Sequence, residues 1–207
     1  MTTIAVLGAG RVGLNLATAL HSAGHTVTVG ARGPVEAPAQ IAIASLSEAA
    51  AGADIIINAL PGNVSVAVLS SIAEELAGKV LIDIANATER GPDGLPSELL
   101  YPAGSLAEEL QQALPRTRVV KTLNTMLYTV MTAPQSLPHP ATAFLSGNDG
   151  QAKQSATALL TDLGWASEWI LDLGDITTAR APEAFTLLTA PLLKAFGFTP
   201  FALTVSH

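Results

Sequence analysis

The stretch Thr3-Ile4-Ala5-Val6-Leu7-Gly8-Ala9-Gly10-Arg11-Val12-Gly13 decides the fold of this chain, together with the amphipathic segment Leu14–Leu20 that follows it. A short apolar run, a glycine triplet and a helical pattern in this order predict a strand, a tight turn and a helix. We expect Gly8 to allow the turn, Gly10 to let a pyrophosphate approach the backbone, and Gly13 to let helix and strand pack closely. The helix N-terminus then favours anionic phosphates. A glycine turn without a ligand is the alternative, and the full context favours a dinucleotide.

The composition narrows the class of protein further. The 207 residues fit one domain, and the absence of cysteine excludes disulfides, thiolate metal sites and cysteine nucleophiles. A net charge of −7 argues against nucleic acid and anionic membranes as partners. No apolar run is long enough for a membrane span and no signal peptide is visible, so we expect a cytoplasmic protein. Only 13% of the residues are charged and 49% are hydrophobic, which favours a homodimer.

The four histidines do not have the spacing of a metal site, and we predict no metal. His21 and His25 fit a helix end and the turn after it, as Ser22-Ala23-Gly24 has the pattern of a helix stop. His139 lies in a predicted loop, and His207 is the last residue.

Short apolar runs alternate with segments of helical length, which implies parallel strands joined by right-handed crossovers. The predicted fold class is therefore α/β, a Rossmann-type doubly wound and mostly parallel sheet with a short C-terminal helical extension. Residues 1–172 form the predicted dinucleotide-binding domain, and residues 173–207 form a helix and tail that pack or dimerise without forming an independent domain. The predicted strands are Thr3–Gly8, Thr26–Ala31, Ile41–Ala44, Asp54–Leu60, Lys79–Ala85, Arg118–Leu123, Thr142–Ser146 and Ala166–Asp172. The predicted helices are Val12–Ala23, Leu46–Ala51, Val64–Leu76, Ser105–Leu114 and Gly150–Leu163, with a last one near Pro182–Phe196.

Three further segments receive a coarser prediction. Asn86–Pro102 is rich in proline and glycine and is predicted as a loop, either at the binding crevice or as an ordinary surface connection. The apolar stripe of the last helix, which includes Phe185 and Leu193, is assigned to the core or a dimer face. The tail Phe198–Val205 is predicted to be extended.

The end of the second strand favours NADP over NAD. No acidic residue stands there to bind a ribose 2′-hydroxyl, and Ala31-Arg32 takes the place instead. A guanidinium can pair with a 2′-phosphate and stack on adenine. The alternative is that Arg32 is a solvated turn residue before Gly33-Pro34. Arg11 is either within reach of the same phosphates or simply exposed.

Two segments at the carboxyl ends of strands are expected to line the cleft, namely Asn58–Asn63 and Asp83–Ala87. Asn63 can alternatively be the N-cap of the next helix. Asp83 lies within an apolar strand and can alternatively be a paired carboxylate of the core.

With these segments in place, the chain resembles the coenzyme F420-dependent NADP oxidoreductase family over nearly its whole length. The resemblance implies that the first turn holds the pyrophosphate, that the end of the second strand holds the 2′-phosphate, and that Leu60-Pro61 and Asn124 flank the nicotinamide. The chain departs from the family in having Glu36 where a second basic residue is common, and Asn124 where some members have histidine. The matching motifs are Gly8–Gly13, Val29–Arg32, Asn58–Pro61, Lys121–Thr125, Phe144–Asp149 and Asp172–Ile176.

The predicted function is an NADP-dependent oxidoreductase that transfers hydride between NADPH and a deazaflavin (F420) or flavin-like acceptor such as FMN. Such exchange needs two stacked rings and exclusion of water, and the cleft shows no pattern for a proton donor. A non-catalytic NADP-binding redox sensor and a reductase of another small acceptor, such as a quinone or metal chelate, stay open. Asn124 is the best catalytic candidate. The predicted cofactor-binding residues are Gly8, Gly10, Arg11, Val12, Gly13, Ala31, Arg32, Ala59, Leu60, Pro61, Ala85, Asn86 and Asn124.

Overall fold

The computed structural model describes residues 1–205, so His207 lies outside the described residues. The strands are β1 Thr3–Leu7, β2 Thr26–Gly30, β3 Ala42–Ala44, β4 Ile55–Asn58, β5 Val80–Asp83, β6 Thr88–Arg90, β7 Pro96–Leu99, β8 Arg118–Lys121, β9 Ala143–Gly147 and β10 Ile170–Gly174. The helices are α1 Arg11–Ser22, α2 Leu46–Ala51, α3 Gly62–Ser70, α4 Ala73–Leu76, α5 Leu106–Ala113, α6 Tyr128–Met131, α7 Gly150–Asp162, α8 Arg180–Ala184 and α9 Thr189–Phe196.

Eight strands form one sheet in the order β10-β9-β8-β5-β4-β1-β2-β3. From β3 to β8 this is the strand order of a Rossmann fold, extended by β9 and β10. The predicted fold class, a mostly parallel and doubly wound α/β sheet, is confirmed. Each predicted strand is present, with ends that differ by up to four residues.

One strand pair departs from the implied parallel pairing. β9 runs antiparallel to β8, with Val120 opposite Gly147 and Lys121 opposite Ser146. The connection between these strands contains only the four-residue α6 and a 3₁₀ turn, so no crossover helix carries the chain to the opposite end of the sheet. The 13-residue α7 then restores parallel pairing between β9 and β10.

Strand β1 shows why the strand sequences are continuous apolar runs. Ile4 and Val6 pack into the core on one face, and Ala5 and Leu7 pack into the core on the other. Both faces are covered by helices, so the alternation of inward and outward residues leaves no solvent-facing side. Helices α1 and α7 cover the first face, and α2 to α5 cover the second.

The segment predicted as a loop, Asn86–Pro102, contains a β-hairpin, and the prediction is wrong there. β6 and β7 pair antiparallel around the turn Gly91-Pro92-Asp93-Gly94. Gly94 has a φ of +75°, and the amide of Gly91 donates to the carbonyl of Leu95 at 2.9 Å. The hairpin carries exposed polar side chains and therefore lacks the apolar alternation that indicates a strand.

The predicted helices also need corrections. Val64–Leu76 is two helices, α3 and α4, separated at Ser71-Ile72. The last helical region begins at Ile176 and includes 3₁₀ stretches at Ile176–Ala179 and Phe185–Leu188. The predicted strand Ala166–Asp172 begins with a 3₁₀ turn before β10. The tail is extended as predicted, with Ala202 bridged antiparallel to Met126. Of the helices within residues 1–205, none has both the length and the apolar character needed to cross a membrane.

Candidate dinucleotide site

A cleft of about 1040 Å³ lies at the carboxyl ends of the central strands. The strand order reverses between β1 and β4, and this is where open α/β sheets bind ligands. The glycine turn, the end of β2 and the segments after β4, β5 and β8 form its walls. All the predicted cofactor-binding residues except Gly13 line this one cleft, so the tertiary structure brings them together.

The three glycines of the first turn meet different surroundings. Gly8 has a φ of +119°, and a Cβ there would lie 2.5 Å from the carbonyl oxygen of Ala59. A Cβ on Gly13 would lie 1.8 Å from the carbonyl oxygen of Gly8, behind the cleft wall. A Cβ on Gly10 would meet nothing within 4 Å. Gly8 and Gly13 are thus required by the packing of the chain itself, and Gly10 leaves the open surface that a bound pyrophosphate would need.

The N-terminus of α1 is not capped by a side chain of the described residues. Gly10 is the N-cap, and the first turn contains no acidic residue. The amide of Leu14 donates to the carbonyl of Gly10 at 2.9 Å, which is the first hydrogen bond of the helix. The amides that precede Leu14 have no carbonyl within the helix to bind. Unpartnered amides and the positive end of the helix dipole suit a phosphate group. This arrangement fits the dinucleotide that the sequence predicts.

Arginine side chains are placed along the cleft. Arg11 and Arg32 are exposed on its wall, and within residues 1–205 neither forms an ion pair. Arg90 of the hairpin, which sequence reasoning missed, also lines the cleft and donates to the carbonyl of Gly94 at 2.6 Å. Glu36 is exposed and is not part of the cleft wall.

Asn58 and Asp83 do not line the cleft, contrary to expectation. Both are completely buried, and Nδ2 of Asn58 donates to Oδ1 of Asp83 at 2.8 Å. Oδ2 of Asp83 accepts from Nζ of Lys121 at 2.8 Å, so Asp83 is the paired core carboxylate of the alternative interpretation. The amide of Leu60 donates to Oδ1 of Asn58 at 3.2 Å, so these side chains brace the cleft loops from behind. Asn63 is not an N-cap, because α3 begins one residue before it.

Asn124 is held at the floor of the cleft by three hydrogen bonds. Its Nδ2 donates to Oδ1 of Asn86 at 2.9 Å and to the carbonyl of Pro182 at 3.0 Å. Nδ2 of Asn86 donates in return to the carbonyl of Asn124 at 2.9 Å. Leu123, just before it, has a φ of +58°, which a non-glycine residue adopts only when its surroundings hold it there. With both amide hydrogens used, Oδ1 is the atom of Asn124 free to accept a hydrogen bond from a ligand.

The far end of the cleft is apolar and aromatic. Sequence reasoning missed this wall, although the apolar stripe of the last helix was a signal for it. Part of this wall comes from the helical region after Ala184 and from the tail. The apolar stripe of the last helix was assigned from the sequence to the core or a dimer face, but α9 buries none of its residues fully. Oγ1 of Thr125, also at this wall, is buried and has no hydrogen-bond partner among residues 1–205. The apolar lining comes from Met126, Tyr128, Met131, Phe185, Leu193, Phe198 and Phe201.

Other predicted features lie away from the cleft. His25 is buried against Asp162, with Nε2 and Oδ2 3.1 Å apart, and His139 is exposed in a loop. Over the described part of the chain, no three His, Cys, Asp or Glu side chains are grouped as a metal ion would require.

The fold and the cleft define an α/β protein of the dinucleotide-binding Rossmann class. A family model described as "NADP oxidoreductase coenzyme F420-dependent" matches residues 3–87. A solved structure of a candidate F420-dependent NADP-reductase from Arthrobacter sp. FB24 is 38% identical, covers 100% of both chains and superposes with a TM-score of 0.92. The chain belongs to the F420-dependent NADP oxidoreductase family. The predicted family and the predicted class, an NADP-dependent oxidoreductase, are confirmed at this level.

Two further relatives are similar over part of their own length. The chain is 29% identical over 196 residues to metalloreductase STEAP3 of Rattus norvegicus, covering 92% of this chain and 38% of that protein. It is 28% identical over 144 residues to the F420-dependent NADP reductase of Methanocaldococcus jannaschii, covering 68% of this chain and 62% of that protein. The chain thus spans less than two thirds of the length of either relative.

Proposed function

We propose that the protein transfers hydride between NADPH and a planar, deazaflavin-like or flavin-like acceptor. One observation carries the proposal. A single cleft joins a helix N-terminus without a side-chain cap, and two arginines that form no ion pair within residues 1–205, to an aromatic wall beyond Asn124. The first end matches the phosphates of NADP, and the second matches an apolar ring system.

Different residues along the cleft would bind different groups of the dinucleotide. Amides at the start of α1, beside Gly10, would bind the pyrophosphate, and Arg32 would pair with the 2′-phosphate, assisted by Arg11. Oδ1 of Asn124 would accept a hydrogen bond from the nicotinamide carboxamide. Bound NADPH supplies the hydride. The loops at Ala59–Pro61 and Ala85-Asn86 would flank the ring and keep water from it.

The acceptor end supports ring-to-ring transfer. Tyr128, Phe185 and Phe201 present aromatic surface there, against which a flat ring can stack. Lys121, which lies three residues before Asn124, has no exposed surface and therefore cannot donate a proton to a bound substrate. Hydride exchange between two rings depends mainly on close approach and exclusion of water, and an apolar lining favours both. F420 and FMN are therefore the first acceptors to test.

A metal chelate is the second candidate acceptor. The match to metalloreductase STEAP3 extends over 92% of this chain, which favours a metal chelate over other small acceptors. A quinone would fit the same apolar wall. A redox sensor that binds NADP without turnover is the alternative from a different class.

Anaerobic steady-state oxidation of NADPH with F420, FMN, a soluble quinone or ferric citrate tests the proposal, with calorimetric titration of both nucleotides alongside. Turnover with F420 or FMN supports a deazaflavin-like or flavin-like acceptor. Turnover with ferric citrate alone supports a metal chelate as the acceptor instead. Tight NADPH binding without any reduction would make the protein a sensor. Failure of NADPH and NADP⁺ to bind at millimolar concentration would overturn the assignment altogether.

We also infer a cytoplasmic homodimer. Phe196 is 71% exposed and Phe198 is 72% exposed, and Leu187 and Leu188 are exposed near them. Side chains of this size and apolarity favour a covered surface. Sedimentation analysis of the purified chain tests the oligomeric state, and fractionation of source cells tests the location.

A further inference from the structure

A row of buried polar side chains crosses the sheet behind the cleft wall. Asn58, Asp83 and Lys121 are register partners on the adjacent strands β4, β5 and β8, and each has zero exposed surface. Charged groups are removed from water only at a large cost in free energy, so their partners in the structure deserve a complete account.

The ammonium group of Lys121 has three oxygen partners. It donates hydrogen bonds to Oδ2 of Asp83 at 2.8 Å and to the carbonyl of Ala85, and it forms an ion pair with Oε1 of Glu183 at 3.0 Å. Burial disfavours the charged ammonium, but the two carboxylates outweigh burial and raise the pKa of Lys121. The lysine therefore stays charged and connects the end of β8 to the loop after β5 and to α8.

Glu183 connects the C-terminal segment to the central sheet. It belongs to α8, is 5% exposed, and accepts from the amides of Leu106 at 2.7 Å and Ala107 at 3.1 Å. Those amides begin α5, so both carboxylate oxygens are occupied by groups from the Rossmann core. No motif in the sequence singled out Glu183, because its partners are distant along the chain.

The residue before Glu183 touches the candidate nicotinamide site directly. The carbonyl of Pro182 accepts from Nδ2 of Asn124 at 3.0 Å, and Asn124 and Asn86 are joined by two hydrogen bonds of 2.9 Å. Phe185, two residues further on, lies on the cleft wall. One short segment thus carries the buried carboxylate, a partner of Asn124 and part of the acceptor wall.

We propose that Glu183 is a positioning residue, which acts through Lys121 and the Pro182 carbonyl to set the Asn124 amide against the nicotinamide ring. The inference rests on the proposed function for the place of the nicotinamide beside Asn124. A buried ion network adds little net stability over apolar packing, but it specifies one geometry through directional bonds. Hydride transfer is sensitive to displacements of about 1 Å, so a network that fixes the position of the Asn124 amide would affect its rate.

The test compares Glu183→Gln with Glu108→Gln. The second variant changes the carboxylate that accepts from Nε of Arg180 at 2.9 Å and from Oγ of Ser105 at 2.8 Å, and so perturbs the same segment without replacing a residue of the interior network. We expect E183Q to bind NADPH within about threefold of the parent Kd, because the phosphates are held elsewhere. We expect it to change the fluorescence lifetime of bound NADPH and to slow single-turnover hydride transfer by roughly tenfold or more. E108Q should leave both readouts unchanged.

The outcomes separate the two proposals. A parent protein that does not bind NADPH ends the proposed function, and the positioning role with it. A parent that binds NADPH while E183Q shows the parent lifetime and rate, with only a lower melting temperature, makes Glu183 purely structural and overturns this inference alone. If E183Q does not fold, Glu183→Asp decides, because it keeps the charge and withdraws the carboxylate by one methylene: a changed NADPH lifetime supports the positioning role, and the parent lifetime and rate refute it.

Discussion

The carbonyl oxygen of Gly8 lies 1.8 Å from the point that a Cβ on Gly13 would occupy, so the turn and helix α1 meet backbone to backbone. Gly13→Ala must move one of two rigid backbone segments, and overpacking of this kind costs about 1–3 kcal/mol. We expect its melting temperature to fall by roughly 2–10 °C, on the scale of a chain of this length. Differential scanning calorimetry measures the change.

Gly10→Ala is the matched counterpart of that variant. Nothing lies within 4 Å of its added Cβ, so its melting temperature should equal that of the parent. The methyl group would stand where the pyrophosphate approaches, and we expect NADPH affinity to fall about tenfold or more. A G10A protein that binds NADPH as tightly as the parent would place the phosphates elsewhere.

Arg32 should decide the choice of nucleotide. Arg32→Gln removes the charge beside the ribose, and loss of a charge-assisted hydrogen bond of about 1.5–3 kcal/mol weakens binding roughly tenfold to 150-fold. Only NADPH carries the 2′-phosphate, so NADH binding should change little. Calorimetric titration of both nucleotides gives the ratio of the NADPH and NADH dissociation constants in the parent and in the variant.

Arg116→Gln is the control for this charge change, because Arg116 pairs with Glu74 on the surface and is not part of the cleft wall. It should leave both nucleotides unaffected. Equal losses of NADPH and NADH in Arg32→Gln would remove the basis for assigning NADP to this arginine.

Lys121 should stabilise the folded state as a charge partner of two buried carboxylates. Lys121→Met leaves the carboxylates of Asp83 and Glu183 buried without their cation, and removal of one member of a buried pair costs about 3–5 kcal/mol. Urea denaturation should show that loss. The double variant Lys121→Met with Glu183→Gln should recover part of it, and a strictly additive double variant would argue against direct coupling.

The surface pair of Glu108 and Arg180 predicts an acid-dependent effect. The hydrogen bond from Arg180 is the main cause that lowers the pKa of Glu108 from its ordinary value of 4.5. A lowered folded-state pKa gives stability that is present above the ordinary value and lost as the pH falls through the lowered one. Arg180→Ala should therefore lower the unfolding midpoint slightly at about pH 7, and the difference from the parent should shrink as the pH falls below the ordinary value of 4.5. A difference that persists in acid would indicate lost packing instead.

The accuracy of the sequence predictions depended on the range of the interactions involved. Gly8 and Gly10 were placed in the cleft because strand, turn and helix are adjacent in the chain. Asn58 and Asp83 were wrongly placed there, because position at a strand end does not reveal which way a side chain points. The Asn124–Pro182 hydrogen bond joins residues 58 positions apart, beyond any local pattern.

The sequence by itself determined the doubly wound sheet, the glycine turn and the arginine at the end of β2. Hydrophobic periodicity and the conformational freedom of glycine act within a few neighbouring residues, so both can be recognised from the sequence. Only the tertiary structure decided that β9 reverses, that a hairpin and the C-terminal segment wall the cleft, and that Glu183 meets Lys121. Those features arise from contacts between distant segments, whose free energy depends on how the folded chain brings their side chains together.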